Sequence, residues 1–273
     1  MSIDKVDLIL SQFSGISNAI SPVLLDQNKI LIYSGFTPAI IQQNPNAFKV
    51  YFDSYADFKA LGKIALQDGK KNLAVMLVQA DYAEPIVQAI EDLKNDFNFD
   101  VQYYYFNPSE TDFRTFMLRA KDQNADAIIS AGYEENFFNM FTKDSELGLN
   151  IPVYCGGIYD CMTDKLQSQV NGFEVVTFDM LINDWFKEKY ISTYPNTSNS
   201  ELEGAAMGYD MVMYSYFSLL KCPSKEVGCI KDALISESHN GAMKTQNAFN
   251  NERRFEITTK NLRYYDSNFH ELN

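Results

Sequence analysis

The stretch Val6–Thr37, VDLILSQFSGISNAISPVLLDQNKILIYSGFT, decides the fold. It reads as strand, turn, helix, strand, turn. Val6, Leu8, Ile9 and Leu10 form a short apolar run that ends at Ser11 and Gln12. Ile30, Leu31, Ile32 and Tyr33 form a second, ending at Ser34 and Gly35. Unbroken apolar runs of this length read as strands buried on both faces, the pattern of a parallel sheet covered by helices. In such sheets ligands sit beyond the carboxyl ends of the strands. Here those ends carry serines and glycines, which can grip a small polar molecule through hydroxyl and backbone N–H groups.

The alternation continues outward. Helical spacing runs from Tyr55 to Asp68, and Leu73 to Val78 is a third buried strand. A helix from near Glu84 to Leu93, a strand from Val101 to Phe106 and a helix from Thr111 to Gln123, capped by Ser109 or Thr111, follow. Ala125 to Ser130 is a strand, Glu135 to Leu147 a helix with Gly148 as C-cap, and Pro152 to Cys155 a strand ending at Gly156 and Gly157. Repeated βα order predicts a doubly wound parallel sheet. Beyond it come helices at Asp184 to Thr193, Leu202 to Leu220 and Gly228 to Ser236. Arg254 to Thr258 and Leu262 to Asp266 read as a closing hairpin.

At 273 residues the chain exceeds one ordinary core and suits two lobes. Its 46% hydrophobic and 22% charged residues are those of a globular protein. A net charge of -13 argues against nucleic acid and anionic lipid as main partners. The start, MSIDKVDLIL, lacks the basic residues and small-residue cleavage site of a signal peptide. By that reading the chain is cytoplasmic or shown without a targeting segment. The four cysteines form no CxxC pair and lie far from both histidines, so no zinc site is expected. Cys222 and Cys229 bracket a short loop; a disulfide there would suit an oxidising compartment, two thiols a reducing one. Cys155 and Cys161 can pair or stay free.

The order of elements and their turn residues resembles the type I periplasmic solute-binding proteins, nearest the leucine/isoleucine/valine-binding branch of ABC transporters. The resemblance runs from about Lys5 to Leu272. It is carried by the opening stretch to Ala39 and by LAVMLVQADYAEPIVQAIEDL, ADAIISAGYEENFFNMFTKDSELGLNIPVYCGG and ELEGAAMGYDMVMYSYFSLL. It implies two doubly wound α/β lobes with a ligand cleft between them. Lobe one would take residues 1–50 and 177–254, and lobe two 51–176 and 255–273. It implies no enzymatic activity, no cofactor and no metal. The implied partners are a small ligand, an amino acid or related carboxylate, and the membrane permease of an ABC transporter. The implied location is periplasmic or extracellular, where Cys222–Cys229 would be a disulfide. The implied mechanism is hinge closure.

By this resemblance the carboxylate-binding serine falls on Ser14, with a backbone N–H at Gly35 and a hydroxyl at Thr37. A helix N-terminus suits a carboxylate. Lobe-two contacts fall on Tyr82 and Tyr133, which can stack and hydrogen-bond at once, and on the turn at Gly157. Two departures stand out. Amino-acid binders place a glutamate just after that turn to pair with the ligand ammonium. This chain has Ile158, then Tyr159 and Asp160, leaving Asp160 or Glu134 as substitutes. The family also begins with two further βα units, so lobe one reads as truncated and its first strand as an exposed edge open to self-association.

Two other readings remain. A ligand-sensing regulator or receptor domain would share the fold. A serine hydrolase would use Ser17, in Gly15-Ile16-Ser17-Asn18-Ala19 near a nucleophile-elbow pattern, with His239 as base, but no HGGG-type oxyanion segment is present. Glu134-Glu135 is read as a helix-start pair of acids rather than an acid–base couple.

Overall fold

The structure, a computed structural model, describes residues 6–156, 161–170 and 173–272. The chain divides into two compact units, Met1–Asp53 with Met180–Thr258, and Ser54–Asp179 with Thr259–Asn273. It therefore passes between them three times. Among the described residues no helix is long and apolar enough to cross a membrane.

The first unit is built on three parallel strands in the order β1 (Leu8–Gln12), β2 (Ile30–Ser34) and β3 (Ala47–Lys49). Ile30, Leu31, Ile32 and Tyr33 of β2 are fully buried, each worth about 1.5–3 kcal/mol of hydrophobic stabilisation before ordering entropy is subtracted. Helix α1 (Ser14–Asp26) lays Leu24 and Ile20 into the cluster formed by Leu31, Tyr33, Ile40, Ile41 and Ala47. Two-sided burial fails for β1: Leu8 and Ile9 are half-buried and Leu10 is exposed. The reason is position, since among the described residues β1 has a strand beside it on one side only.

The far edge of this sheet is closed. Arg253, in the left-handed region at φ 62°, accepts the Lys49 N–H at 2.9 Å through its carbonyl. Its guanidinium donates to the carbonyls of Ala47 and Ile41. Arg254 bridges Lys49 in parallel and pairs with Asp53. The expected hairpin of Arg254 to Thr258 with Leu262 to Asp266 is not formed. β10 (Phe255–Ile257) pairs instead with β9 (Thr245–Phe249), and β11 (Thr259–Tyr265) with β12 (Asn268–Glu271). The turn lies at Asp266 and Ser267, whose φ values of 48° and 61° make it tight, whereas Thr258 leads directly into β11.

A buried carboxylate organises the same unit. Asp210, on the helix Asn199–Lys221, is 0% exposed and accepts the N–H groups of Ala242 at 2.7 Å and Met243 at 2.9 Å. From the other side the Asn183 amide donates to the carbonyls of Gly241 and Met243 at 2.9 and 3.2 Å. Burial pushes the Asp210 pKa up to about 6, against the lowering pull of its two backbone bonds.

The second unit holds a seven-stranded sheet in the order β12-β11-β8-β7-β6-β4-β5. Its strands β4 (Asn72–Val78), β5 (Asp100–Phe106), β6 (Ala127–Ala131), β7 (Val153–Cys155) and β8 (Val175–Met180) are parallel. The crossover helices include α3 (Ser54–Gln67), α4 (Ala83–Leu93), α5 (Arg114–Asp122) and α6 (Glu134–Leu147). Helix α5 starts at Arg114, after Phe113, so neither Ser109 nor Thr111 caps it. Gly148 does end α6, in the left-handed conformation at φ 60°.

Candidate functional site

In the first unit, α1 begins directly after β1, with Phe13 at φ 67° turning the chain. No acidic residue occupies its first turn and no side chain caps it, so its leading amides and partial positive charge are not met within the helix. Ser14 is its first residue. The Ser14 hydroxyl accepts the Thr37 N–H at 3.3 Å, across the two strand-end turns. Gly35 explains how the turns come so close. A Cβ there would lie 2.9 Å from Ser14 Oγ, closer than real Cβ atoms come, and 3.0 Å from Ser14 N, a tight contact with backbone. The Thr37 hydroxyl accepts the Ala39 N–H at 3.3 Å, and the Tyr33 hydroxyl donates to the Thr37 carbonyl at 2.8 Å. Ser14, Gly35 and Thr37 are thus brought together at the carboxyl ends of β1 and β2. Thr37 is only 5% exposed, so its hydroxyl is held in place.

In the second unit Tyr82 and Tyr133 follow the carboxyl ends of β4 and β6, which are neighbours in the sheet. This is the point where strand order reverses, because β5 lies on one side of β4 and the later strands on the other. Tyr82 is 8% exposed and Tyr133 48%. Tyr133 sits at the N-cap position of α6, and its N–H donates to Asn136 Oδ1 at 3.1 Å. Asn136, itself buried, donates to the carbonyls of Pro108 and Glu110 at 3.2 Å each. That network ties the start of α6 to the loop after β5, a support the sequence reading did not anticipate. An Asn three residues after the cap is the signal it left.

Gly157 and Asp160 lie outside the described residues, as do Ile158 and Tyr159. Glu134 is already matched: its Oε1 lies 4.0 Å from Lys165 Nζ, and Glu135 Oε2 lies 3.2 Å from it. Cys155 is disulfide-bonded to Cys161 and Cys222 to Cys229. Ser17 and His239 are not brought together. Ser17 is fully buried and donates to Ser11 Oγ at 2.9 Å. His239 packs among Tyr209, Tyr214 and Phe217, with its Nε2 3.8 Å from Asp210. A nucleophile elbow needs an exposed hydroxyl beside its base, and this arrangement offers neither.

Comparison with known proteins bears on the fold. A search of curated protein sequences returns no match. Among solved structures, a leucine-binding protein from Thermotoga maritima superposes with a TM-score of 0.82 at 18% identity, over 100% of this chain and 81% of that one. A solute-binding protein of an R. palustris ABC transporter, in complex with 4-hydroxybenzoate, gives 0.80 at 14% identity, covering 98% and 78%. The branched-chain amino acid transporter substrate-binding protein from Streptococcus pneumoniae, in complex with isoleucine, gives 0.78 at 16%, covering 99% and 80%. A family profile described as periplasmic binding protein matches residues 1–214. With parallel α/β units and polar turns at the strand ends, this chain belongs to the periplasmic binding protein family, in its type I fold.

Proposed function

We propose that the protein is the solute-binding component of an ABC-type transporter and takes a small carboxylate. The observation that carries this is the abutment of the turns at Ser14, Gly35 and Thr37. It joins an uncapped helix start to two positioned hydroxyls, a set of donors suited to a carboxylate. Tyr82 and Tyr133 would supply the second unit's contacts, closure of the two units on the ligand would trap it, and a membrane permease would read the closed form. Gly157 and Asp160 are carried along as further contacts. No catalytic step is assigned. A place outside the cytoplasm, periplasmic or extracellular, is supported by the family and by two disulfides. Relatives hold isoleucine in one case and 4-hydroxybenzoate in another.

Isothermal titration with leucine, isoleucine, benzoate and 4-hydroxybenzoate tests the reading. At least one should bind, and Thr37→Ala or Ser14→Ala should weaken it about tenfold, the loss of one hydrogen bond to a charged group. Absence of binding across the panel, or an unchanged Kd in both variants, would overturn it.

A further inference from the structure

We propose that Tyr33 is the positioning residue of the Ser14–Thr37 site: its buried hydroxyl sets the main chain of Thr37 and, through it, the contact between the two strand-end turns. The proposal rests on the carboxylate reading of that site. Tyr33 ends the apolar run of β2 and by residue type is one more member of the core. Its ring does serve the core, in one cluster with Leu24, Leu31, Ile40, Ile41 and Ala47, and is 0% exposed. Its hydroxyl reaches further. It donates to the Thr37 carbonyl at 2.8 Å, so a side chain from inside the sheet grips the turn beyond the strand end. Burial pushes the Tyr33 pKa up, against the pull of the Arg254 guanidinium and of a hydrogen bond from the Ile41 N–H. The phenol therefore stays neutral and keeps the proton that it donates.

Three hydrogen bonds hold Thr37, and they are not equivalent. Its N–H goes to the Ser14 hydroxyl at 3.3 Å, its own hydroxyl accepts the Ala39 N–H at 3.3 Å, and its carbonyl is held by Tyr33. Ala39 is two residues along the same turn and moves with it. The Ser14 hydroxyl can rotate about its own bond and is itself a contact of the site. Tyr33 alone brings a fixed reference. Its strand is buried throughout and paired on both sides, with Ser11 opposite in β1 and Lys49 in β3, and its carbonyl accepts the Val50 N–H at 2.7 Å. A ring set in a close-packed core leaves its hydroxyl little room to move. A buried phenol needs some partner, and many carbonyls would serve. This carbonyl lies between Gly35, whose turn abuts Ser14, and Ala39, which holds the Thr37 hydroxyl, so a shift here moves both hydroxyls of the site together.

Tyr33→Phe removes the hydroxyl and keeps the ring. Amide hydrogen exchange without ligand, and isothermal titration with leucine, isoleucine, benzoate and 4-hydroxybenzoate, read the outcome. The Thr37 amide should lose about tenfold more protection than the Leu31 amide, which bonds the Asn46 carbonyl at 3.0 Å and reports the stability of the sheet. The Kd of whichever ligand binds should rise about five- to tenfold. Ile32→Val controls for lost stability, since it trims a fully buried side chain on the opposite face of the same strand. It should leave both the Kd and the ratio of Thr37 to Leu31 exchange as in the wild type. If no ligand binds the wild-type protein, the carboxylate reading fails and the exchange ratio alone decides the role of Tyr33. Equal loss of protection at Thr37 and Leu31, a Kd unchanged in Tyr33→Phe, or the same changes in Ile32→Val would overturn the proposal.

Discussion

Gly241→Ala tests how the Asp210 carboxylate holds the first unit together. A Cβ on Gly241 would lie 2.6 and 2.7 Å from the two Asp210 carboxylate oxygens, well inside contact distance. The carboxylate cannot yield cheaply, because each oxygen accepts a buried N–H, from Ala242 and from Met243. Hydrogen bonds to a charged group contribute about 1.5–3 kcal/mol each, so displacing Asp210 should cost about 2–4 kcal/mol after partial relaxation. Asp210→Ala removes the same two acceptors and also relieves a buried charge. With the pKa moved from 3.8 to about 6, that relief is about 3 kcal/mol at neutral pH, so the net loss should be smaller. In the Asp210→Ala background the obstacle is gone and Gly241 is not in the left-handed region. There the alanine should be neutral or stabilise by up to about 1 kcal/mol, through the entropy of the unfolded chain. The double-mutant cycle should show a coupling of about 2 kcal/mol or more. Urea unfolding followed by Trp185 fluorescence reads the right region, since this is the only tryptophan and its ring lies 5.7 Å from that of Tyr209. A Gly241→Ala cost that is the same in both backgrounds, within about 0.5 kcal/mol, would refute the reasoning.

Two other predictions concern stability. Replacing Cys222 and Cys229 together by serine opens a loop with a sequence separation of 7 and should cost about 2.5 kcal/mol by loop entropy. Urea melts of wild type and variant check this, and superimposable curves would refute it. In the second unit Asp144 is 0% exposed, and its carboxylate accepts the backbone N–H groups of Asn150 and Ile151. Burial raises its pKa from 3.8 to about 6, so the folded state holds a proton that the unfolded state has released across that window. Its contribution to stability is full below pH 3.8 and falls by about 3 kcal/mol as pH rises to 6. Asp144→Asn should flatten that fall in stability-versus-pH curves; an unchanged slope would show that Asp144 titrates normally.

Strands β4, β5, β6 and β7 of the second unit were legible in the sequence because each is a largely apolar or aromatic run between polar turns, whereas β8 and β12 were not read. Leu73 to Val78 and Val101 to Phe106 fall within a residue of β4 and β5. Strand β3 was not legible. It is three residues long and ends at Lys49, a charged residue that is 1% exposed because its ammonium donates to the carbonyls of Tyr51 and Phe52. Strand β9 was missed too. Its partner β10 was assigned to the wrong hairpin, since which strand an apolar segment joins is a long-range choice that local pattern does not carry. At the site, Ser14, Gly35 and Thr37 were named through the resemblance to the solute-binding family, helped by their place at polar strand-end turns. The hydrogen bond from Thr37 to Ser14 spans 23 residues and exists only once β1 and β2 lie side by side.

The sequence by itself determined the alternation of strand and helix and the polar turns at the strand ends, since both follow from local apolar periodicity and turn chemistry. Tertiary structure alone decided burial. Leu8-Ile9-Leu10 and Ile30-Leu31-Ile32 are chemically equivalent runs, yet the second is fully buried and the first is half-buried to exposed. The physical difference is the number of neighbours: among the described residues β2 has a strand on both sides and β1 on one, and a residue is hidden by the strands and helices packed around it rather than by its own apolar character.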